Sequence, residues 1–517
     1  MNRAQHIERL RHGAFDVLVI GGGITGAGVA LDAANRGMRV ALVEKRDFAS
    51  GTSSRSSKLI HGGVRYLKQM QFGVTFEAIH EREVLLRMAP HLVKPLRFIL
   101  PYRRSLVSSL VYAAGLTLYD RLARSRASRR HRRIENLGDE MPMLDRTGIG
   151  GAFSYFDARA DDCRLVMHVV KKAVQLGTTA ANYVAVTGFR RDGARHLAGV
   201  EALDGITGES FPIAAKRVVN AAGVWSDDVR KRFDASRPDL LRPSKGVHLV
   251  IDRERLPIND AVAIPETASG HHLFLVPWEN HTVVGTTDTL FSGDIDHPRA
   301  TADDVRVLLD GLEEYFPAAR ITAADLTSVY SGLRPLLVRP GSDGAPDKAA
   351  RDYVIEDRDG LLTVTGGKLT TFRRMAARVV DRIAPSTRCT TDRLDLFSST
   401  VPPASLPADV AEHLHAAFGS GAAAIAANSN ACERLDERAP HTIAEIDFVI
   451  RNEMAMTVAD VLMRRTRLAY IVRDNARSVI PFVAAQLAAA HGWNDDQRAK
   501  ALTEVDRELS ELEVDSD

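Results

Sequence analysis

The sequence predicts an α/β fold in which a doubly wound nucleotide-binding domain is intertwined with a mixed α+β substrate domain, followed by an all-α carboxy-terminal domain. Three observations predict it. An apolar run of strand length near the amino terminus opens onto a glycine-rich turn and a helical pattern. Strand-like and helix-like runs then interleave over residues 1–385. Over residues 386–517 the pattern is almost wholly helical.

Phe15 to Ile20 (FDVLVI) reads as the first strand, GGGITG follows at once, and a helical pattern ends at Gly37. Arg39 to Val43 (RVALV) is the next strand, which completes the strand, helix, strand unit that begins a Rossmann-type domain. A long helix is predicted around Val74 to Met88. Strands are predicted at Val218 to Ala222, Gly246 to Ile251, His272 to Val276 and Leu361 to Thr365. Pro385 to Ser405, rich in Ser, Thr and Pro, reads as a linker to a separate helical domain with Ala-rich stretches such as Val483 to Ala490.

A chain of 517 residues is long enough for two to four structural units, and its formal charge of +2 supplies no global field to attract nucleic acid. Cys163, Cys389 and Cys432 are far apart and outside any CxxC spacing, so they offer neither a disulfide framework nor a zinc site, and no metal is expected. The charged amino terminus, MNRAQHIERLRHG, lacks the apolar region of a secretory signal, which points to the cytoplasm. The uncharged stretch Ser105 to Tyr119 falls short of the ~18 to 20 apolar residues that a spanning helix needs.

Gly21, Gly23 and Gly26 form GxGxxG, a weak signal alone that gains weight from its neighbours. A strand precedes it, small Ala30 lies on the following helix, and Glu44 ends the next strand. Gly21 permits the tight turn, Gly23 lets backbone amides approach a pyrophosphate, and Gly26 lets the helix pack on the sheet. The anion rests at the helix amino terminus, beside Gly22, Ile24 and Thr25, and Glu44 accepts hydrogen bonds from the adenosine ribose. A carboxylate there repels a 2′-phosphate and disfavours NADP; the motif does not separate FAD from NAD.

Gly51 to Leu67 (GTSSRSSKLIHGGVRYL) is dense in hydroxyls and glycines and too polar for a core element. RVVNAAG at Arg217 to Gly223 is a buried strand ending in small residues, and TVTGGKLTTFR at Thr363 to Arg373 is another strand opening onto paired glycines. Together with IGGGITGAGVALDAANRG, VNAAGVWSD, RPSKGVHLV, FLVPWENHTVVGTTD and SGLRPL, these stretches closely resemble the FAD-dependent glycerol-3-phosphate dehydrogenases, within the glycine and D-amino-acid oxidase-like flavoproteins. The resemblance extends from Gly21 to Arg373, and the helical tail fits that family's carboxy-terminal domain.

The resemblance implies an FAD-binding domain and a cofactor set beyond the first glycines: Lys45, Thr52, Ser53, Ser54, Ser57, Lys58, Leu59, His61, Gly62, Gly63, Ala222, Gly223, Gly366, Gly367, Lys368 and Leu369. It implies oxidation of sn-glycerol 3-phosphate to dihydroxyacetone phosphate with electrons passed to a quinone; the related oxidases, which give electrons to oxygen, are the alternative. By position, Arg65, Tyr66, His248, Arg334, Arg351, Lys368 and Thr370 line the substrate pocket. A phosphate dianion taken out of water needs several fixed cations, and guanidinium forks suit it. Loss of the C2 hydroxyl proton needs a base near neutral pKa, for which His248 is the candidate, with Arg334 stabilising developing oxyanion character.

Leu106 to Tyr119 is followed by the basic run RLARSRASRRHRR, Arg121 to Arg133. An apolar helix beside arginines suits the interface of an anionic membrane, and so a peripheral enzyme on the cytoplasmic face of the inner membrane. A buried helix with a solvated basic loop is the competing reading. The run lacks the interleaved aromatics of a nucleic-acid site. The partners expected are glycerol 3-phosphate, a quinone, an anionic membrane surface and, as a homodimer, a second copy of the chain.

Overall fold

The computed structural model describes residues 1–63, 72–123, 130–194, 196–338, 353–398, 401 and 406–515. The first expected unit is present as the strand Ala14–Ile20, the helix Ile24–Asn35 and the strand Val40–Val43. Burial of nearly every residue of both strands explains their unbroken apolar character, since a parallel strand is covered on both faces.

Five strands lie parallel in the order Leu361–Gly366, Ser210–Asn220, Ala14–Ile20, Val40–Val43, Thr179–Ala181. Thus the sheet draws strands from three distant stretches of chain, as interleaved domains require. The strand predicted at Val218 to Ala222 begins earlier and stops at Asn220. Its first half alternates exposed and buried positions against Leu197–Asp204. Its end is a turn, because the Asn220 side chain bonds the Ser226 carbonyl and accepts from the Ala222 amide.

The second, mixed sheet supplies the other wall. Its strand Ser244–Asp252 runs antiparallel to both His281–Gly285 and Leu326–Arg334. The register pairs His248 with Tyr330, Gly246 with Gly332 and Ser244 with Arg334. Alternation puts all six residues on one face of the sheet.

The carboxy-terminal region is helical, as expected, but its apolar face is continuous with the oxidoreductase body: Leu59, Phe98 and Tyr330 share one core with Leu414, Leu462 and Tyr470. Buried ion pairs cross the same joint. Arg465 bonds Asp47 through two nitrogens at 2.6 and 2.8 Å, Arg467 reaches Asp162 at 2.7 Å, and Arg164 holds Glu453 at 2.6 Å. Breaking a buried pair from one side typically costs about 3–5 kcal/mol. The helical region is therefore anchored to the body rather than tethered by the Pro385–Ser405 segment alone.

Candidate functional site

The glycine turn has the close packing its sequence implies. Gly21 has φ +109°, and a Cβ there would stand 2.6 Å from the Ala221 carbonyl oxygen. At Gly26 a Cβ would come within 1.9 Å of the Gly21 carbonyl oxygen, so any side chain would push the helix off the strand. Gly23 is the helix N-cap and offers no side-chain cap, leaving the amide end to the ligand side. The Ile24 N–H donates to Ser53 Oγ at 3.0 Å, which brings the hydroxyl-rich loop onto the same turn.

A cavity of about 300 Å³ opens beside this turn. Of the residues expected to hold a cofactor, Gly21, Gly23, Ile24, Thr25, Glu44, Lys45, Thr52, Ser53, Ala222, Gly223, Gly366, Gly367, Lys368 and Leu369 line it. Three separate strand ends thus converge on one elongated space. This is a cradle kept open by glycines around a helix amino terminus, and it fits a dinucleotide pyrophosphate.

Glu44 accepts the Gly22 N–H at 2.6 Å and the Arg46 N–H at 2.9 Å. Burial pushes its carboxyl pKa up, and these two amides pull it back. Each oxygen keeps a lone pair for a ribose hydroxyl. Lys45 lies over the Trp225 ring at 4.4 Å and pairs with Asp296 at 2.8 Å.

The remaining expected cofactor residues are placed around the cavity rather than on its wall. Gly22 backs onto Glu44 and Phe48, and Ser54 is buried with its hydroxyl on the Gly51 carbonyl. Lys58 turns its ammonium inward, to Asp162 at 3.1 Å and the Trp278 ring at 4.4 Å. Leu59 is a buried strand residue, the His61 N–H donates to Thr370 Oγ1, and the Gly62 N–H donates to Tyr119 Oη at 3.1 Å. Gly63 has φ +75°.

Among the expected substrate residues, Arg65, Tyr66 and Arg351 lie outside the described residues. His248 is buried, its Nε2 2.8 Å from Ser57 Oγ and its ring stacked on Tyr330 with centroids 4.7 Å apart. Tyr330 is fixed in turn by donating to the Ser56 carbonyl at 2.9 Å. Burial, Arg334 and Lys58 hold the imidazole pKa down at about 3, against the near-neutral value expected from the sequence. The main cause is burial, which disfavours the charged ring, and the Arg334 and Lys58 cations add to it. A phosphate dianion nearby acts in the opposite direction.

Arg334 donates to Asp288 at 3.1 Å, to Thr286 Oγ1 at 2.9 Å and to the Thr287 carbonyl at 3.2 Å. It is about three-quarters buried, with a relative side-chain exposure of 23%. The next residue, Pro335, lines the cavity. Thr370 Oγ1 accepts the His61 N–H at 3.2 Å and so ties the GGKLTT turn to the hydroxyl-rich loop. Lys368 lines the cavity one step before this contact.

Sequence reasoning missed the glycines that make room for these side chains. A Cβ at Gly285 would lie 2.4 Å from His248 Cδ2, and one at Gly246 would lie 2.3 Å from an Arg334 nitrogen. At Gly332 it would lie 2.5 Å from the Arg55 carbonyl oxygen. Gly332 therefore lets the Arg55 backbone settle on the sheet face, and Gly246 leaves room for the Arg334 guanidinium. No local signal marks them, because each glycine makes room for a group brought from another part of the chain: His248 at Gly285, Arg334 at Gly246 and Arg55 at Gly332. Asp288, the Arg334 partner, was missed with them.

Residues 16–373 match the FAD dependent oxidoreductase family, and residues 362–498 match the C-terminal domain of alpha-glycerophosphate oxidase. An aerobic glycerol-3-phosphate dehydrogenase of Staphylococcus epidermidis is 36% identical, across 100% of this chain and 98% of that protein. The one from Staphylococcus saprophyticus is 34% identical, across 99% and 98%. The crystal structure of the Bacillus halodurans glycerol-3-phosphate dehydrogenase complexed with FAD superposes with a TM-score of 0.79 at 29% identity, covering 99% of this chain and 97% of that one. The Mycoplasma pneumoniae L-alpha-glycerophosphate oxidase shares the fold, with a TM-score of 0.57 at 18% identity over 72% and 96% of the two chains.

Proposed function

Because the chain belongs to the FAD-dependent oxidoreductases and, within them, to the aerobic glycerol-3-phosphate dehydrogenases, we propose that it oxidises the C2 hydroxyl of sn-glycerol 3-phosphate and passes the electrons to a quinone. The observation that carries this reading is the juxtaposition of a buried neutral imidazole, His248, with a forked guanidinium, Arg334, on adjacent strands beside the cofactor cradle.

FAD, when bound, supplies the two-electron acceptor for the hydride leaving C2. The Gly21–Gly26 turn holds its pyrophosphate, Glu44 its ribose, and the Gly366–Leu369 turn closes from the opposite side. His248 is uncharged at neutral pH and accepts the hydroxyl proton at Nε2, with Ser57 Oγ in hydrogen-bond contact to orient or relay it. Arg334 faces the negative charge that grows on the C2 oxygen, and Lys368 adds a second cation near the same wall. The products are dihydroxyacetone phosphate, the hydroxyl proton taken up by His248 and one hydride, which carries the two electrons.

The similarity of residues 362–498 to an oxidase's carboxy-terminal domain favours testing oxygen as acceptor. Turnover with a short-chain quinone under aerobic conditions is expected to release little hydrogen peroxide. Peroxide formed at the rate of substrate consumption would make the chain an oxidase instead.

A quinone stays in the bilayer, so we place the enzyme on a membrane surface. No described helix is long and apolar enough to cross one. The helix Leu106–Ala123 exposes Leu110 and Val111 at 70% and 53%, and Arg130, Arg132 and Arg133 just beyond it are exposed. This combination supports interfacial attachment by apolar contact plus charge. Raising ionic strength shortens the Debye length from ~10 Å at 0.1 M to ~3 Å at 1 M, so binding to anionic vesicles is expected to weaken with salt. Replacing Arg130, Arg132 and Arg133 with Ser should weaken it further while sparing turnover with a soluble dye. Equal sedimentation of variant and parent at low salt would return the segment to a solvated loop.

A further inference from the structure

The structure places His413, His441 and Glu445 together in the helical region, and none of the three lines the flavin cradle. His413 lies on the helix Ala408–Phe418, Glu445 on the helix Ile443–Asn452, and His441 in the turn that enters the latter. One ligand atom from each lies within 4.8 Å of the others. No metal was expected from the sequence, because the signal sought was cysteine spacing. The His413 helix is brought to the His441–Glu445 turn only by folding.

His413 Nε2 meets Glu445 Oε2 at 3.0 Å, which an ion pair alone would explain. Two further atoms are not explained that way. Glu445 is fully buried, yet its Oε1 has no hydrogen-bond partner among the described residues. His441 is 1% exposed and its Nδ1 is likewise unpartnered. In the tautomer protonated at Nε2, Nδ1 presents a lone pair. A buried carboxylate oxygen and a buried imidazole nitrogen are then both left for one electrophile to satisfy.

We propose that these three side chains form a binding site for a divalent transition-metal cation of the zinc type, with His413, His441 and Glu445 as protein ligands. Imidazole and carboxylate donors suit zinc, cobalt or nickel and disfavour the oxygen-seeking calcium and magnesium. In a tetrahedron with bonds of ~2.0–2.2 Å, ligand atoms stand roughly 3.3–3.6 Å apart. The set therefore has to close by about 1 Å at its widest, within the reach of side-chain rotation.

His413 and His441 also line a polar cavity of about 570 Å³, so a fourth position faces space able to hold a water or an exchangeable anion. Arg465 and Arg467, on the wall of the same cavity, bind Asp47 and Asp162 across the joint. Occupancy therefore links the carboxy-terminal helices to the body, and its role is that of a clamp.

The test uses the full-length, FAD-containing protein after dialysis against a chelator. Titration with zinc chloride is expected to show one equivalent bound per chain and to raise the melting temperature. Cobalt(II) chloride is expected to give the ligand-field bands of a four- or five-coordinate nitrogen–oxygen site. His441→Ala and Glu445→Gln should each weaken zinc binding by about 100-fold or more, since loss of an outer-shell partner alone costs ~10–100-fold. Cys432→Ser, which removes the one exposed thiol, should not change it. Glu445→Gln keeps the shape of the side chain, so it decides the matter if His441→Ala fails to fold. Absence of stoichiometric binding in the parent, or undiminished binding in Glu445→Gln, would overturn the proposal.

Discussion

His248→Ala is expected to keep its FAD and to lose about 10²- to 10⁴-fold in turnover, the range over which a positioned base contributes. The imidazole sits on Tyr330, bonds Ser57 and is held neutral by burial and by the two cations near it. It does not line the cofactor cavity, so flavin content should report an intact fold while the chemistry fails. His248→Asn restores a polar contact toward Ser57 but no proton acceptor, and should remain nearly as slow. Comparing kcat with a soluble dye, per bound flavin, checks both. Turnover close to the parent's in either variant would remove His248 from the proton-transfer role.

Arg334→Ala is expected to lose about 30- to 1000-fold in turnover, as when a charge-assisted contact worth ~2–4 kcal/mol is deleted from a developing anion. Two effects combine. The cation facing the substrate is lost, and Asp288 is left without a partner it now holds at 3.1 Å. Asp288 keeps the Ser244 hydroxyl but loses its cation, and a carboxylate repels a phosphate, so adding Asp288→Asn to Arg334→Ala should recover part of the loss. Arg334→Lys should recover less than charge alone suggests, because an ammonium cannot reproduce the fork to Asp288, Thr286 and the Thr287 carbonyl. Steady-state kinetics on the four proteins test this; equal rates for parent and Arg334→Ala would eliminate the assigned role.

How far these sites could be read from sequence depends on how local their causes are. The cradle is local: Gly21 and Gly26 are required by contacts within a strand, turn and helix, and their spacing is printed in the chain. Glu44 was legible for the same reason, although its use by the Gly22 and Arg46 amides was not. That His248 and Arg334 belong to one site was carried by resemblance alone, because it depends on a strand register that pairs His248 with Tyr330 and Ser244 with Arg334. The room that Gly246 leaves for Arg334 arises only through that register. The polar loop at Lys58 misled in one respect, since a lysine among hydroxyls looks solvent-facing, whereas its ammonium is buried on Asp162. The ionic joint to the helical region was least legible: Arg464, Arg465 and Arg467 read as an ordinary basic stretch until the fold brings Asp47 and Asp162 to them.

In the proposed reaction electrons leave C2 of glycerol 3-phosphate for a flavin in the cradle between the Gly21 and Gly366 turns. Anaerobic addition of sn-glycerol 3-phosphate to the purified FAD-containing protein, followed by absorbance, is the decisive measurement. Full bleaching of the oxidised flavin band is expected, with one dihydroxyacetone phosphate formed per flavin and no bleaching by the opposite enantiomer. An oxidised spectrum that persists at saturating substrate would rule the reaction out.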